Sequence, residues 1–455
     1  MELQIIFSTD EPKYMTIYKQ IKKQVLTNVI HAHEQLPPKR LLASQLNVSI
    51  QTVQTAYEQL ISEGFIYTIE RNGYYVSEVE FPYSFEDSFK PIVEIEENEN
   101  PTISFRNGQV DAAHFPFSVW TKYVKDHFQS NMMPNAKWQG EAMLRNQITR
   151  YIRKAKGIHC QPKQIFIFNG TQQQLKVLSQ FLKPTAVGIE NPGFHRVYYT
   201  WKQSRLEPTL VPVDEQGCTV PTVPLDLLYT TPAHQFPKGT IMSITRKGEL
   251  LQWAAAHQSY IIEDDYDAEF RYKGNPIPPL AQLDYEERVI YFGSFSKTMI
   301  PSIRVSYIIL PMHLVDSFEQ FMQFDKSMVS RLDQVVLAHF MKDGHFEKHI
   351  AKMRKLYSEK RQHLIDEIKN RLGDEFIITG DDAGLHIVLH LPDYLTEQQA
   401  LQKAKSVGVT VDAYSQFQFD RTGETSNKVV IGYGTLSLEQ ITQGIAAIST
   451  VWKSK

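Results

Sequence analysis

Five short apolar runs, each stopped by turn-forming residues, constrain the fold of this chain most: QIFIFNG, AVGIEN, DLLYTTP, SYIIEDD and RVIYFGS, within residues 164–294. A strand with one wet face alternates apolar and polar residues, whereas a strand covered on both faces reads as a continuous apolar run. Segments of helical period lie between these runs, so the chain from about Ile103 onward is expected to form an α/β domain around a mostly parallel sheet. Beyond about Arg331 helical patterns dominate, with HIVLHL, VTVDAY and KVVIGY as the strands of a smaller α+β lobe. The expected lobes are residues 103–330 and 331–455.

The front of the chain has a different period. In residues 13–30, Ile17, Ile21, Val25 and Val29 recur at helical spacing. The stretch LPPKRLLASQLNVSIQTVQTAYEQLISEGF carries two more helices. One runs from about Lys39 to Leu46, and the other starts after the N-cap Ser49 and stops at Gly64. IYTIE and YYVSEVE then alternate, split by Arg71-Asn72-Gly73, a hairpin signal. Three helices and a hairpin within residues 1–79 describe a winged helix-turn-helix, whose last helix enters the major groove of double-stranded DNA. Ser49, Ile50, Gln51 and Thr52 would enter first, with Gln54, Thr55 and Tyr57 further along, Gln being able to bond adenine in a bidentate way. Lys39, Arg40 and Arg71 are expected on phosphates, and the wing tip of Arg71, Asn72 and Gly73 on the backbone or minor groove. A helical dimerisation cap with a hairpin is the alternative. Residues 80–102 are acidic, contain prolines and show no sustained period, as an interdomain linker would.

A net charge of −3 gives the whole molecule no pull toward nucleic acid, so any DNA affinity must come from local charge placement. Cys160 and Cys218 alone cannot build a disulfide framework, which suits a reducing compartment. No apolar run approaches a membrane span and the N-terminus has no signal-peptide pattern, so a cytoplasmic location is expected.

Chemistry concentrates in the second region. Lys297 follows the run RVIYFGS, with Ser294 and Ser296 before it and Arg304 seven residues on, residues that can bond a phosphate. In SYIIEDDYDAEF, Asp264 and Tyr266 are two apart and share one side of a strand. A helix start near Thr171, after Asn169-Gly170, offers free backbone N–H groups to an anion, with Thr171 and Gln172 adding side-chain bonds. Phe194 supplies a ring, and Arg196 a carboxylate clamp. An amine, a carboxylate, a phenol donor, an anion cradle and a stacking ring are the five things pyridoxal 5′-phosphate (PLP) needs from a protein. Asp264 would hold the pyridine nitrogen protonated and Tyr266 would donate to the phenolic oxygen. No paired His or Cys stands near the acidic turn, so no metal is expected there.

Residues 13–79 resemble the winged-helix domain of GntR-type bacterial regulators, and residues 103–455 resemble fold-type I aminotransferases. The fusion is similar to the MocR/GabR family, TTPAHQFPKGTIM and YIIEDDYDAEF being close to the branch containing GabR. The resemblance implies an internal aldimine at Lys297 and a head-to-tail homodimer whose sites borrow residues from the partner. This chain departs from the family pattern at five positions. Pro38 stands where Ser is usual, Ile50 where Arg is frequent, and Phe236 where aminotransferases place Asn beside His234 and Gln235. Phe194 replaces the branch's Tyr, and Thr435 replaces the Arg that clamps a substrate carboxylate. Arg196, His234, Gln235 and Thr435 are thus the expected effector contacts. The implied function is a transcription regulator sensing a small amine, an amino acid or PLP. The alternatives are a working aminotransferase on a DNA tether, with weak or vestigial turnover for want of the clamp, and a scaffold with a dead site.

Overall fold

The computed structural model describes residues 3, 5–7, 11–78, 103–274, 277–420 and 426–453. The chain divides into two compact units, Met1–Asn98 and Glu99–Lys455. The expected linker, residues 80–102, lies outside the described residues.

In the first unit, helices α1 (Lys13–Leu26), α2 (Lys39–Gln45) and α3 (Ile50–Ser62) pack beside a small antiparallel sheet. Its strands β1 (Gln35–Leu36), β2 (Ile66–Ile69) and β3 (Gly73–Val76) lie in the order β1-β3-β2. The Ser49 hydroxyl accepts from the Thr52 backbone N–H at 3.1 Å, capping α3. Ile17, Ile21, Leu42, Val53, Ala56, Leu60 and Val76 form the core. Two expectations change. The first helix ends at Leu26, because Asn28 turns into positive φ; Val29 is left exposed and Ile30 fills the core instead. Tyr57 is 1% exposed, and its hydroxyl donates to the Pro37 carbonyl at 2.9 Å. It is a core residue and cannot meet a base edge.

The second unit opens with β4 (Ile103–Ser104) and is built on an eight-stranded sheet. Its strands are β5 (Ile165–Phe168), β6 (Val187–Asn191), β7 (Pro208–Asp214), β8 (Gly217–Cys218), β9 (Leu227–Thr230), β10 (Tyr260–Asp265), β11 (Val289–Ser294) and β12 (Ser306–Ile309), in the order β5-β12-β11-β10-β9-β6-β7-β8. All five apolar runs are strands. Alternate residues face two different cores, Ile165 and Ile167 one, Phe166 and Phe168 the other, which is why the runs are continuously apolar. The sheet is mixed rather than uniformly parallel: β12 runs antiparallel between β5 and β11, and β8 antiparallel to β7. The connection from β11 to β12 is too short for a helical crossover, so the chain returns antiparallel. That connection carries Lys297 and Arg304.

The smaller sheet has β13 (Ile377–Thr379), β14 (His386–His390), β16 (Asp412–Ala413) and β17 (Lys428–Gly432) in the order β13-β14-β17-β16, all antiparallel. VTVDAY is split: β15 (Val409–Thr410) pairs with β4 instead. The cores do not divide at residue 331. Phe105 and Val110 pack with Leu364, Ile387 and Ile431, whereas Leu337 and Phe340 pack with the large sheet. The helix His345–Leu372 joins the two cores, with Phe346 and Ile350 in one and Met353 and Tyr357 in the other. Among the described residues no helix is long and apolar enough to cross a membrane.

Candidate functional site

The pleat of β10 sends neighbouring carboxylates to opposite faces. Asp265 accepts from the Tyr291 hydroxyl at 2.5 Å and pairs with Lys156 at 2.8 Å. Asp264, on the other face, accepts from the Tyr229 hydroxyl and, at 3.5 Å, from the Thr171 hydroxyl. Burial lifts Asp264 to about 7, against the hydrogen bond from Tyr229.

Thr171 begins the helix Thr171–Leu182, and Gly170 precedes it with φ +128. A Cβ on Gly170 would overlap the Arg304 guanidinium, so glycine is what lets Arg304 reach this helix start. The Gly170 N–H donates to the Ser306 hydroxyl at 2.8 Å, and the Ser296 N–H to the Ser294 hydroxyl at 3.2 Å. Gln172 is exposed in the helix's first turn. A helix N-terminus with a guanidinium laid across it suits a phosphate.

The Lys297 amine lies in the same connection as Arg304. Burial lowers it to about 8; Asp267 opposes the shift and Arg196 adds to it. A Cβ on Gly108 would stand 3.7 Å from this amine. Gly108, in the segment 106–109 that sequence reasoning missed, therefore borders the site. The segment's Asn-Gly pair was the available turn signal. The Asn107 N–H donates to Asp412 at 2.7 Å, and a Cβ on Gly432 would come 2.8 Å from the Asn107 Cα.

Tyr266 sits just past the end of β10, its hydroxyl 3.0 Å from the His234 carbonyl, to which it donates, and 3.1 Å from His234 Nδ1. Phe194 lies edge-on to Phe236, with ring centroids 5.7 Å apart. Among the expected effector contacts, Arg196 and Thr435 are exposed. Gln235 requires correction: its amide donates to the carbonyls of Pro192 and Phe236, and its oxygen accepts from the Lys238 N–H. Buried, with both amide hydrogens and its oxygen engaged by these groups, it anchors the turn rather than facing an effector. Glu190, also buried, accepts from the Thr230 and Thr231 hydroxyls and holds the same turn. His234 is buried too, its Nδ1 3.0 Å from Asp267 Oδ2, so it faces protein rather than an open pocket.

In the first unit Ser49, Gln51, Arg40, Arg71 and Asn72 are exposed. Thr52 hydrogen-bonds Ser49 through its hydroxyl, and Gln54 lies between Lys39 at 3.4 Å and Glu58 at 2.7 Å. Gly73 opens β3 with φ +119.

Residues 13–76 match the gntR family of bacterial regulatory proteins, and residues 101–448 match aminotransferase class I and II. The uncharacterized HTH-type transcriptional regulator YhdI of Bacillus subtilis (strain 168) is 41% identical, over 97% of this chain and 96% of its own. This chain belongs to the MocR/GabR family. The probable rhizopine catabolism regulatory protein MocR of Rhizobium meliloti is 28% identical over 97% of this chain and 94% of its own. This MocR/GabR protein is thus a DNA-binding transcription regulator with an aminotransferase-like domain. The kynurenine aminotransferase of Pyrococcus horikoshii, solved in complex with PMP, superposes with a TM-score of 0.69 over 78% of this chain and 91% of that one. At 24% identity it speaks for the fold alone.

Proposed function

We propose that this regulator holds PLP on Lys297 and reads a small amine, an amino acid or PLP itself through that amine. The observation that carries the reading is the join at Thr171. Its hydroxyl reaches Asp264, and the glycine before it makes room for Arg304, so the acid for the pyridine nitrogen and the cradle for the phosphate lie side by side. When bound, PLP supplies an aldehyde that condenses with amines and a ring that accepts electrons. Asp264 would hold a proton on the ring nitrogen, and Tyr266 would donate to the phenolic oxygen once its bond to the His234 carbonyl is exchanged. With its affinity for a proton lowered by burial, Lys297 is the free base in a larger share of molecules at neutral pH than an ordinary lysine.

Thr435 cannot clamp a carboxylate as a guanidinium does. The effector then lacks a carboxylate in the usual place, uses Arg196, or is the cofactor itself. Release of Lys297 would favour one conformation by the effector's differential affinity and so change DNA binding. A homodimer would carry two DNA heads. Met328 is exposed. Met328 touches Gln173, two residues after Thr171, so a partner seated there would adjoin the cradle.

A spectral titration with amines, amino acids and free PLP, run beside an operator-binding assay, tests the reading. An absorbance change that tracks DNA affinity supports it. Steady keto-acid production from many amino donors at enzyme-like rates would favour the aminotransferase alternative instead.

A further inference from the structure

Three buried side chains to which that reading gives no contact with the cofactor meet beside Tyr266. His234 follows β9, Asp267 follows β10 and His386 opens β14; they are 1%, 2% and 1% exposed. One ring nitrogen or carboxylate oxygen from each lies within 4.8 Å of the other two. His386 Nε2 sits 3.0 Å from the Pro237 carbonyl, which places the ring proton there and leaves the Nδ1 lone pair without a hydrogen-bond partner. Asp267 Oδ1 is also buried without a partner, while Oδ2 lies 3.0 Å from His234 Nδ1. An imidazole whose far N–H is held by a carbonyl is how ligating histidines are oriented. Gly384, at φ +75, has room for no Cβ: one there would collide with both His234 and Asp267. The backbone has been cleared so that the pair can converge.

We propose that His234, Asp267 and His386 form a binding site for a first-row divalent cation, zinc being the ion that two imidazoles and one carboxylate suit best. Zinc bonds of about 2.0–2.2 Å in a tetrahedron separate ligand atoms by roughly 3.3–3.5 Å, so the existing His234–Asp267 approach of 3.0 Å needs little adjustment. His234 Nδ1 would exchange its contact with Asp267 for the metal. The Tyr266 hydroxyl lies 3.1 Å from that nitrogen. The acidic turn carried no metal signal in sequence because both histidines come from distant segments. None of the three ligands is assigned to PLP, so metal binding is measured separately from cofactor binding.

Full-length protein, stripped with chelator and dialysed, is titrated with Co²⁺ and then Zn²⁺, with and without added PLP. One equivalent per chain is expected, with intense visible cobalt bands of a four-coordinate site that zinc abolishes. Asp267→Asn and His386→Gln should each weaken binding by at least about 10–100-fold, with far-UV circular dichroism unchanged. X-ray absorption on the wild-type zinc form, which needs no variant to fold, should show two imidazoles. No stoichiometric binding, binding indifferent to both substitutions, or a zinc shell without imidazole would each overturn the proposal and leave the trio as an ion pair only.

Discussion

The first unit and the Lys297 site place polar residues in opposite ways. At the start of α3 Ser49 and Gln51 are exposed, and Arg40 and Arg71 are exposed as well. Around Lys297 the polar groups are buried and bonded to one another: Asp264 to Tyr229, His234 to Asp267, Gln235 to its own turn. A surface that meets a charged polymer needs little from its neighbours. A site that holds a small molecule must be positioned by a shell of its own protein, so its residues are costly to change.

This contrast sets the order of expected effects. Lys297→Ala should abolish the near-visible absorbance band of PLP-treated protein altogether, read by a simple spectrum. Gly170→Val, which forces a Cβ into Arg304 at a positive φ, should cost at least about 1–3 kcal/mol of strain and lower PLP affinity, read by titration of the apoprotein. Gln51→Ala on the exposed face should cost about 1–3 kcal/mol of operator discrimination with no change in unfolding. Tyr57→Phe should do the reverse, losing about 1 kcal/mol of stability with the removed hydrogen bond while base preference stays as it was. If Tyr57→Phe instead altered base preference, the division between core and reading face would be wrong.

A smaller effect comes from pH. Asp264 rises on folding from 3.8 to about 7, so its protonated form favours the folded state. Its contribution is complete below pH 4 and is lost as pH climbs through 7. Lys297 falls from 10.5 to about 8, so its contribution is complete above 10.5 and is lost as pH drops through 8. Asp264→Asn should therefore flatten the pH 4–7 slope of apoprotein stability, measured by denaturant titration.

Sequence was most legible where structure is local. The recognition helix, its cap at Ser49, the hairpin at Arg71–Gly73 and the five strands all rest on period or turn chemistry within a few residues. Tyr57 was also legible: Val53, Ala56, Tyr57 and Leu60 follow helical spacing and mark one buried face. Asp264 and Lys297 could be proposed because one lies at the end of a strand run and the other just past one. What stayed hidden was long-range pairing. Nothing near Asp264 in sequence points to Tyr229, nothing near Asp267 points to His386, and Gly108 reaches Lys297 only through the fold. A β-strand read alone also gives no direction, which is why β12 could not be seen to run against its neighbours.

The measurement closest to the central claim is a peptide mass spectrum of PLP-saturated protein after borohydride reduction. A reduced pyridoxyl adduct on the peptide holding Lys297, and on no other lysine, is the predicted result. Unmodified Lys297 in fully saturated protein would contradict it.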